Sequence, residues 1–364
     1  MRFVLNSPVV MSEGLSIRSI RAEHACASLH QDVLEVRDAS CGLHAIIAIH
    51  DLNRGPGFGG IRRMSYENTE DAVRDACTLA AQMTTKTRFA GLPCGGAKSV
   101  IVDVPNMDLS VAYARFGEAV ESLKGQYVCG PDVGTGVKEM DAIRTATSYA
   151  NAPDNKPSVS TAHGVLAGIR AALNHKFGRE RGLNISTFVH GVGRVGALVA
   201  EGMSSIVREL LIADVNRAHL RAVQDRVTSD CKLVVVPPNA SSYDYWPGTV
   251  FSPCAIGPVI RKNNVDTLAC QIVCGSANTQ LESDELADVL HQRGILYVPD
   301  FVVNAGAVIE GALRHFSSGD EEETRAEILE AIAGIEERVA ALLKLASVRH
   351  CAPLRVIPDF VRSL

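Results

Sequence analysis

Apolar and polar positions change period several times along the chain, and each change marks an element. From Asp32 to Asp51 the pattern alternates and then runs apolar through Ala45-Ile-Ile-Ala-Ile49, which predicts strands of a buried sheet. Val73, Ala76, Ala80 and Met83 then recur at steps of three and four, the buried stripe of an amphipathic helix starting after Asn68. Lys86 falls three residues after Met83, on the inward side. Glycines at 91, 95 and 96, with Pro93, end this helix, and Lys98 is expected at the mouth of a strand from Ser99 to Val104. A further strand, Gln126 to Val128, leads into the bend Gly130-Pro131. The first half thus reads as mixed α/β. The polar segment Asn151 to Lys156 contains a proline and predicts a hinge before a helix from Thr161 to Leu173.

Beyond the hinge, the run Ile185-Ser-Thr-Phe-Val-His predicts a strand that enters a glycine-rich turn, Gly191, Val192, Gly193, Arg194, Val195 and Gly196, followed by a helix. The next strand, Glu209 to Ala213, ends at Asp214, which follows Gly196 by 214 − 196 = 18 positions. This is near the offset of about 20 expected for an acid that bonds adenosine ribose hydroxyls. A tight turn with Asp214 capping a helix is the plainer alternative. As a ribose ligand, the acid favours NAD over NADP, with Arg217 nearby pulling the other way. Short apolar runs follow at Leu233 to Val236, Thr249 to Ser252, Gln271 to Cys274 and Ile295 to Val298, as in a mostly parallel, doubly wound sheet. Residues at their ends, Pro253-Cys254-Ala255, Gly275-Ser-Ala-Asn278 and Asn304-Ala-Gly306, would line a cofactor crevice. A long helix from about Glu321 to Leu345 carries Ile328, Ile332, Ile335, Val339 and Leu342 on one face and is expected to pack back across the domains. The division expected is therefore 1–150 and 151–344 with a cleft between, and 345–364 returning to the first domain.

Composition narrows the function. At 364 residues the chain is long enough for two domains and a cleft, and 46% hydrophobic with 21% charged residues is ordinary for a globular protein. No apolar run approaches the roughly 20 residues of a membrane span. A formal net charge of −5 gives no electrostatic case for nucleic acid, which leaves small molecules as partners. The ten cysteines form no Cys-x-x-Cys pair and have no histidines at zinc spacing, so they read as reduced, mostly buried thiols with no metal role. Cys94 and Cys129 lie near the candidate pocket, where a small hydrophobic role outweighs a nucleophilic one. The N-terminus, with Arg2 and Glu13 around a short apolar run, reads as no signal peptide, and a cytoplasmic location follows.

Lys86 and Lys98 flank the glycine-rich bend. An ammonium group is costly to desolvate unless a carboxylate ligand or chemistry uses it, so two of them beside a bend without bulky side chains suggest a pocket for a small acid. Two solvated surface lysines are the alternative, since a lysine can snorkel from an apolar face. Asp132, just past the bend, has a turn or cap role as its plain reading.

The chain closely resembles the glutamate/leucine/phenylalanine/valine dehydrogenases of amino acids, especially the leucine, phenylalanine and tryptophan branch. The resemblance runs from about Ala45 to Val308. It rests on Ala48-Ile-His-Asp51, Gly59-Gly-Ile-Arg62, Met83-Thr-Thr-Lys86, Gly95-Gly-Ala-Lys98, Gly130-Pro-Asp132-Val-Gly-Thr135, the Gly191 turn, Ser252-Pro-Cys-Ala255, Gly275-Ser-Ala-Asn278 and Pro299-Asp-Phe-Val-Val-Asn304-Ala-Gly306. It implies an N-terminal substrate-binding and oligomerisation domain, a Rossmann-like NAD-binding domain and a homo-oligomer. It places Lys86 on the substrate α-carboxylate, Lys98 as catalytic lysine and Asp132 at the amino group. Gly59 and Gly60 match a backbone patch beside the substrate, Thr161 a threonine holding the nicotinamide carboxamide, and Asn278 and Asn304 positions near the nicotinamide ribose and the substrate.

The reaction so implied is oxidative deamination of an amino acid to its 2-oxo acid and ammonia. A fixed cation on the carboxylate sets the direction of Cα, and a lysine of lowered pKa can activate the water that hydrolyses the imine. Phe58 stands where glutamate-specific relatives carry a lysine, so an apolar or aromatic substrate is expected. Gly130 is expected to add room for a ring, whereas Phe58 fills volume or stacks on an aromatic ligand. Pro131, Thr279 and Ala307 depart from the family pattern, and Ala307 adds a methyl group close to the substrate. Two other readings remain: a biosynthetic member acting on an unusual 2-oxo acid, and a non-catalytic relative that binds nucleotide or amino acid.

Overall fold

The computed structural model describes residues 9–12, 14–152, 156–178, 184–228, 230–237, 244 and 246–363. Residues 153–155 of the expected hinge, and Arg2 and Glu13, lie outside them. The chain divides into two units, Met1–Asn155 with Gly311–Gly319, and Lys156–Glu310 with Asp320–Leu364.

The first unit is built on a mixed sheet of β1 (Val9–Ser12), β2 (Leu15–Ser19), β3 (Asp32–Asp38), β4 (Leu43–Ile49), β5 (Gly57–Met64), β6 (Gly95–Val102) and β7 (Tyr127–Pro131), ordered β1-β2-β3-β4-β6-β5-β7. Neighbours from β1 to β6 run antiparallel, and β5 lies parallel to both β6 and β7. The continuous apolar run of β4 is explained by helices on both faces. Ile46 and Ala48 pack against Ala72, Val73 and Ala76 of α1 (Thr69–Phe89), while Ala45, Ile47 and Ile49 join Tyr113, Phe116 and Val120 of α2 (Leu109–Ser122). Asn68 caps α1 by accepting from the Asp71 N–H. The buried stripe of α1 continues as Thr84 and Thr87, leaving Met83 half-buried at its edge.

Lys98 is in mid-strand rather than at a strand mouth. β6 begins at Gly95 because its two glycines can enter the sheet directly under α1: a Cβ on Gly96 would sit 2.1 Å from the Thr84 nitrogen. A short helix, α3 (Val137–Arg144), follows β7.

The second unit holds an all-parallel sheet of β8 (Ser186–His190), β9 (Glu209–Ala213), β10 (Lys232–Val235), β11 (Val250–Pro253), β12 (Ile272–Val273) and β13 (Leu296–Tyr297), ordered β10-β9-β8-β11-β12-β13. The strand order reverses between β8 and β11, the point at which doubly wound sheets open a crevice at their carboxyl ends. α4 (Pro157–Phe177) begins with proline in its first turn, and the buried Glu310 carboxylate accepts from the Lys156 N–H at 2.8 Å and from Ser160 Oγ at 2.6 Å. α5 (Arg194–Ser204), α6 (Arg217–Gln224), α7 (Glu285–Gln292), α8 (Asp300–Val303), α9 (Gly306–Phe316), α10 (Glu321–Arg349) and α11 (Pro353–Ser363) complete it, α9 running on from Gly311 into the first unit.

Two expectations do not hold in the structure. The apolar stripe of α10 is buried as read, but α10 lies along α4 of its own unit, where Arg170 pairs with Glu336 at 2.8 Å. Residues 345–364 also stay with the second unit. Ala352 joins the core of Leu286 and Leu290, and Arg355 pairs with Asp288 of α7 at 2.6 Å. Val356, Ile357 and Phe360 give α11 an apolar side that its own unit buries. Among the described residues no helix is long and apolar enough to cross a membrane.

Candidate active site

In the first unit, β5, β6 and β7 bring three charged side chains together. Alternation along β5 puts Phe58, Gly60 and Arg62 on one face, and the parallel ladder sets Gly60 opposite Gly130 and Ile61 opposite Pro131. Asp132 follows immediately, and its Oδ2 lies 2.7 Å from Lys98 Nζ and 3.3 Å from Arg62 Nε. Lys98 is 6% exposed. Its ammonium is held below the ordinary lysine range by burial, with Arg62 pushing the same way and Asp132 opposing. Burial alone would raise the Asp132 carboxyl, but Lys98 and Arg62 more than offset it and keep it below the usual carboxylate range.

Gly60 forms the floor of this cluster. A Cβ there would stand 2.8 Å from the Pro131 carbonyl oxygen, 2.9 Å from Asp132 Cβ and 3.3 Å from Lys98 Nζ. Gly59 has a different reason to be glycine: its Cβ would overlap the Ala97 carbonyl of β6 at 1.7 Å. The Gly59 carbonyl accepts from Tyr127 Oη at 3.1 Å, and that oxygen accepts from Ser99 Oγ at 2.9 Å. Phe58 is 3% exposed. Gly130 does not add room for a ring, because the Asn151 amide fills the space, with Nδ2 2.7 Å from where a Cβ would be.

Lys86 is half-buried in the last turn of α1. It lies two residues past Thr84, where α1 crosses Gly96, and Lys98 lies two residues past Gly96 along β6. His50 holds the crossing, with Nδ1 2.8 Å from Thr84 Oγ1 and its N–H on the Gly96 carbonyl at 2.9 Å. Burial pushes both the Cys94 and Cys129 thiols up to about 12, which fits buried hydrophobic thiols rather than nucleophiles.

Three residues of this site were not singled out by sequence reasoning. Arg62 stands in the sequence only as the end of Gly59-Gly-Ile-Arg62, although its two-residue spacing from Gly60 puts it on the same strand face. Its Nη1 lies 3.3 and 3.2 Å from the two oxygens of Asp75, and Tyr66 Oη donates to Asp75 Oδ2 at 2.7 Å. Asp75 comes from α1 and Tyr66 from the loop before it, so no local spacing announces them.

In the second unit, the glycine-rich turn joins β8 to α5. Gly191 has φ +90°, and a Cβ on Gly196 would lie 1.9 Å from the Gly191 carbonyl oxygen, so both are needed to bring turn and helix together. Gly193 is the N-cap of α5 without a side-chain cap, and nothing lies within 4 Å of where its Cβ would be. Open space before uncapped helical N–H groups, among them those of Arg194 and Val195, fits a dinucleotide pyrophosphate. Asp214 accepts from the Val192 N–H at 2.8 Å and from the Asn216 N–H at 2.7 Å, tying the acid to the turn. The cap of α6 is Asn216, not Asp214.

The other carboxyl-end residues of this unit also gather. Asn304 Nδ2 donates to Asn278 Oδ1 at 2.9 Å and lies 3.3 Å from the Ser276 carbonyl. Thr161 is buried on α4, and a Cβ on Gly306 would come within 2.7 Å of the Thr161 nitrogen.

A buried lysine paired with a half-buried aspartate thus lies in one unit, and a glycine-rich turn of the nucleotide-binding kind in the other. Residues 30–149 match the family model described as Glu/Leu/Phe/Val dehydrogenase, dimerisation domain, and residues 210–348 match that described as Glutamate/Leucine/Phenylalanine/Valine dehydrogenase. The leucine dehydrogenase of Bacillus subtilis (strain 168) is 36% identical over 317 residues, 85% of this chain and 85% of its own length. The phenylalanine dehydrogenase of Bacillus thermotolerans is 36% identical over 292 residues, 78% of this chain and 76% of its own. The crystal structure of L-tryptophan dehydrogenase from Nostoc punctiforme matches with a TM-score of 0.81 at 28% identity, covering 92% of this chain and 95% of that one. The chain belongs to the glutamate/leucine/phenylalanine/valine dehydrogenase family, whose members are amino-acid dehydrogenases.

Proposed function

We propose that this protein catalyses the reversible NAD-dependent oxidative deamination of an apolar or aromatic L-amino acid to its 2-oxo acid and ammonia, working as a homo-oligomer. The observation that carries this reading is the Lys98–Asp132 pair at 2.7 Å, in which a buried ammonium below its ordinary pKa range meets a half-buried, ionised acid. NAD, when bound, supplies the hydride acceptor for Cα. Gly191 to Gly196 hold its pyrophosphate, Asp214 its adenosine ribose, and Thr161 and Asn278 its nicotinamide end. The acid at Asp214 is the reason for naming NAD rather than NADP.

Lys86 fixes the substrate carboxylate and so the direction of Cα, with Asn304 beside the substrate. Asp132 accepts a hydrogen bond from the amino group. Lys98, once neutral, takes a proton from the water that adds to the imino acid, and passes it on as ammonia leaves. Gly60, with Gly59 next to it in the backbone patch, leaves the main chain open to the substrate. Phe58 is buried and apolar, so a second substrate carboxylate would be desolvated without a partner there, which is why glutamate is set aside.

The test is a steady-state assay of ammonium-dependent NADH oxidation with a panel of 2-oxo acids. Turnover with apolar or aromatic 2-oxo acids is expected, and none with any acid would overturn the proposal. Lys98→Ala is expected to keep NADH binding and lose roughly 10²-fold or more in kcat. Lys86→Ala should chiefly raise KM for the oxo acid; a selective loss of NADH affinity instead would mean that the carboxylate site lies elsewhere.

A further inference from the structure

Lys98 has to alternate between ammonium and amine, yet it sits 2.7 Å from a carboxylate in a buried place. An otherwise unpaired carboxylate at that distance would hold the ammonium form and stop the cycle. The arrangement around Asp132 removes this difficulty. Asp132 Oδ2, the oxygen facing Lys98, also takes Arg62 Nε at 3.3 Å, and guanidinium keeps its charge at any working pH. Arg62 in turn is anchored from α1, by both oxygens of Asp75 at 3.2 and 3.3 Å, and Asp75 is held by Tyr66 Oη at 2.7 Å. This network reaches from the helix over the sheet to the strand end that carries Asp132.

We propose, resting on the dehydrogenase reading above, that Arg62 is a positioning residue: anchored by Asp75 and Tyr66, it shares the Asp132 carboxylate with Lys98 and so frees Lys98 to exchange its proton. When Lys98 gives its proton up, Asp132 stays ionised because Arg62 still neutralises it. When Lys98 takes a proton, the second cation beside it keeps the ammonium from becoming a permanent ion pair. The electrostatics agree: burial is the main force on Lys98, Arg62 adds to it, and Asp132 and Asp75 oppose. Among the described residues, Asp132, Asp75 and Arg62 are the charged groups that act on Lys98, the first from the end of β7, the second from α1 and the third from β5.

The experiment is the pH profile of kcat/KM for amino-acid oxidation in the wild type, Arg62→Gln and Arg62→Lys. Deamination needs neutral Lys98, so its rate falls as pH drops through the Lys98 pKa, which forms the acid limb. Removing the Arg62 charge leaves Asp132 to Lys98 alone, raises that pKa and moves the acid limb to higher pH by about one unit. Arg62→Lys, which keeps the charge, should bring the limb back towards the wild-type position. Arg62→Met, close in length and packing, takes the place of Arg62→Gln if that variant does not fold. An acid limb unmoved in an active Arg62→Gln or Arg62→Met enzyme, with only the rate reduced, would overturn this role and leave the dehydrogenase reading intact. A wild type that fails to reduce NAD with every amino acid of the panel would overturn both.

Discussion

Gly60→Ala is the sharpest probe of the proposed site, because a single methyl group would enter the space between Asp132 and Lys98. The new Cβ would lie 2.8 Å from the Pro131 carbonyl oxygen and 2.9 Å from Asp132 Cβ, each shorter than an ordinary contact by about half an ångström or more. Neither neighbour yields easily. Pro131 is fixed by the β5–β7 ladder, and Asp132 is the next residue along the chain. Lys98 Nζ, at 3.3 Å, is the far end of a flexible side chain, but it is tied to Asp132 at 2.7 Å. The strain is therefore expected to move the Lys98–Asp132 pair rather than the sheet.

Overpacking of this kind costs about 1–3 kcal/mol of stability. Misplacement of a reacting pair by up to about 1 Å can cost 10²-fold in rate, equivalent to about 2.7 kcal/mol of activation free energy. The assay compares kcat/KM with the melting temperature of the same preparation. A folded Gly60→Ala enzyme with a rate loss of about this size and unchanged NADH affinity is expected. Full activity in a folded variant would refute the assignment of Gly60 as the floor of the reacting site. Gly130→Ala serves as the control. The nearest atoms to its Cβ would all belong to the Asn151 amide, the first at 2.7 Å, so it should lower stability more than it lowers kcat.

Two further predictions concern stability. Thr279 has φ +55°, a left-handed conformation that a β-branched side chain adopts at a cost of about 1–2 kcal/mol, so Thr279→Asn should raise stability by about 1 kcal/mol in denaturant unfolding; a loss would show that the threonine methyl or hydroxyl has a packing role. Asp38 is buried, and although burial alone would raise its carboxyl, the hydrogen bonds from Ser40 and Arg115 hold it below the usual range. Its contribution is then complete above the unfolded-state pKa of about 4 and is lost as pH falls through the lower folded value. Asp38→Asn should cost about 2–3 kcal/mol at neutral pH, and the gap should close on acidification; a gap independent of pH would remove the carboxylate from the account.

Much of the fold and part of the site can be read from local pattern. Alternation marks β3 and β4, three- and four-residue steps mark α1 and α10, and the glycine turn with Asp214 marks the start of the parallel sheet. Lys98 also stands out, as an ammonium beside a glycine-rich bend, whereas Asp132 reads locally as a turn or cap residue and is singled out only by the resemblance. What escaped are relations that no local period encodes. Asp75 and Tyr66 reach Arg62 from another element, and Asn151 occupies the space that Gly130 leaves open. An apolar stripe states that α10 or α11 must be buried, but not which unit will bury it. The mid-strand place of Lys98 was hidden because Gly95 and Gly96, usual signs of a turn, enter the sheet to let a helix approach.

The close contacts at Gly59 and Gly96 also constrain how this enzyme can diversify. A side chain at either position would run into main-chain atoms, at 1.7 Å and 2.1 Å respectively, so these positions are closed to change whatever the substrate. New preferences have to be written elsewhere, at positions such as Phe58 that already carry a side chain and leave the polypeptide scaffold where it is.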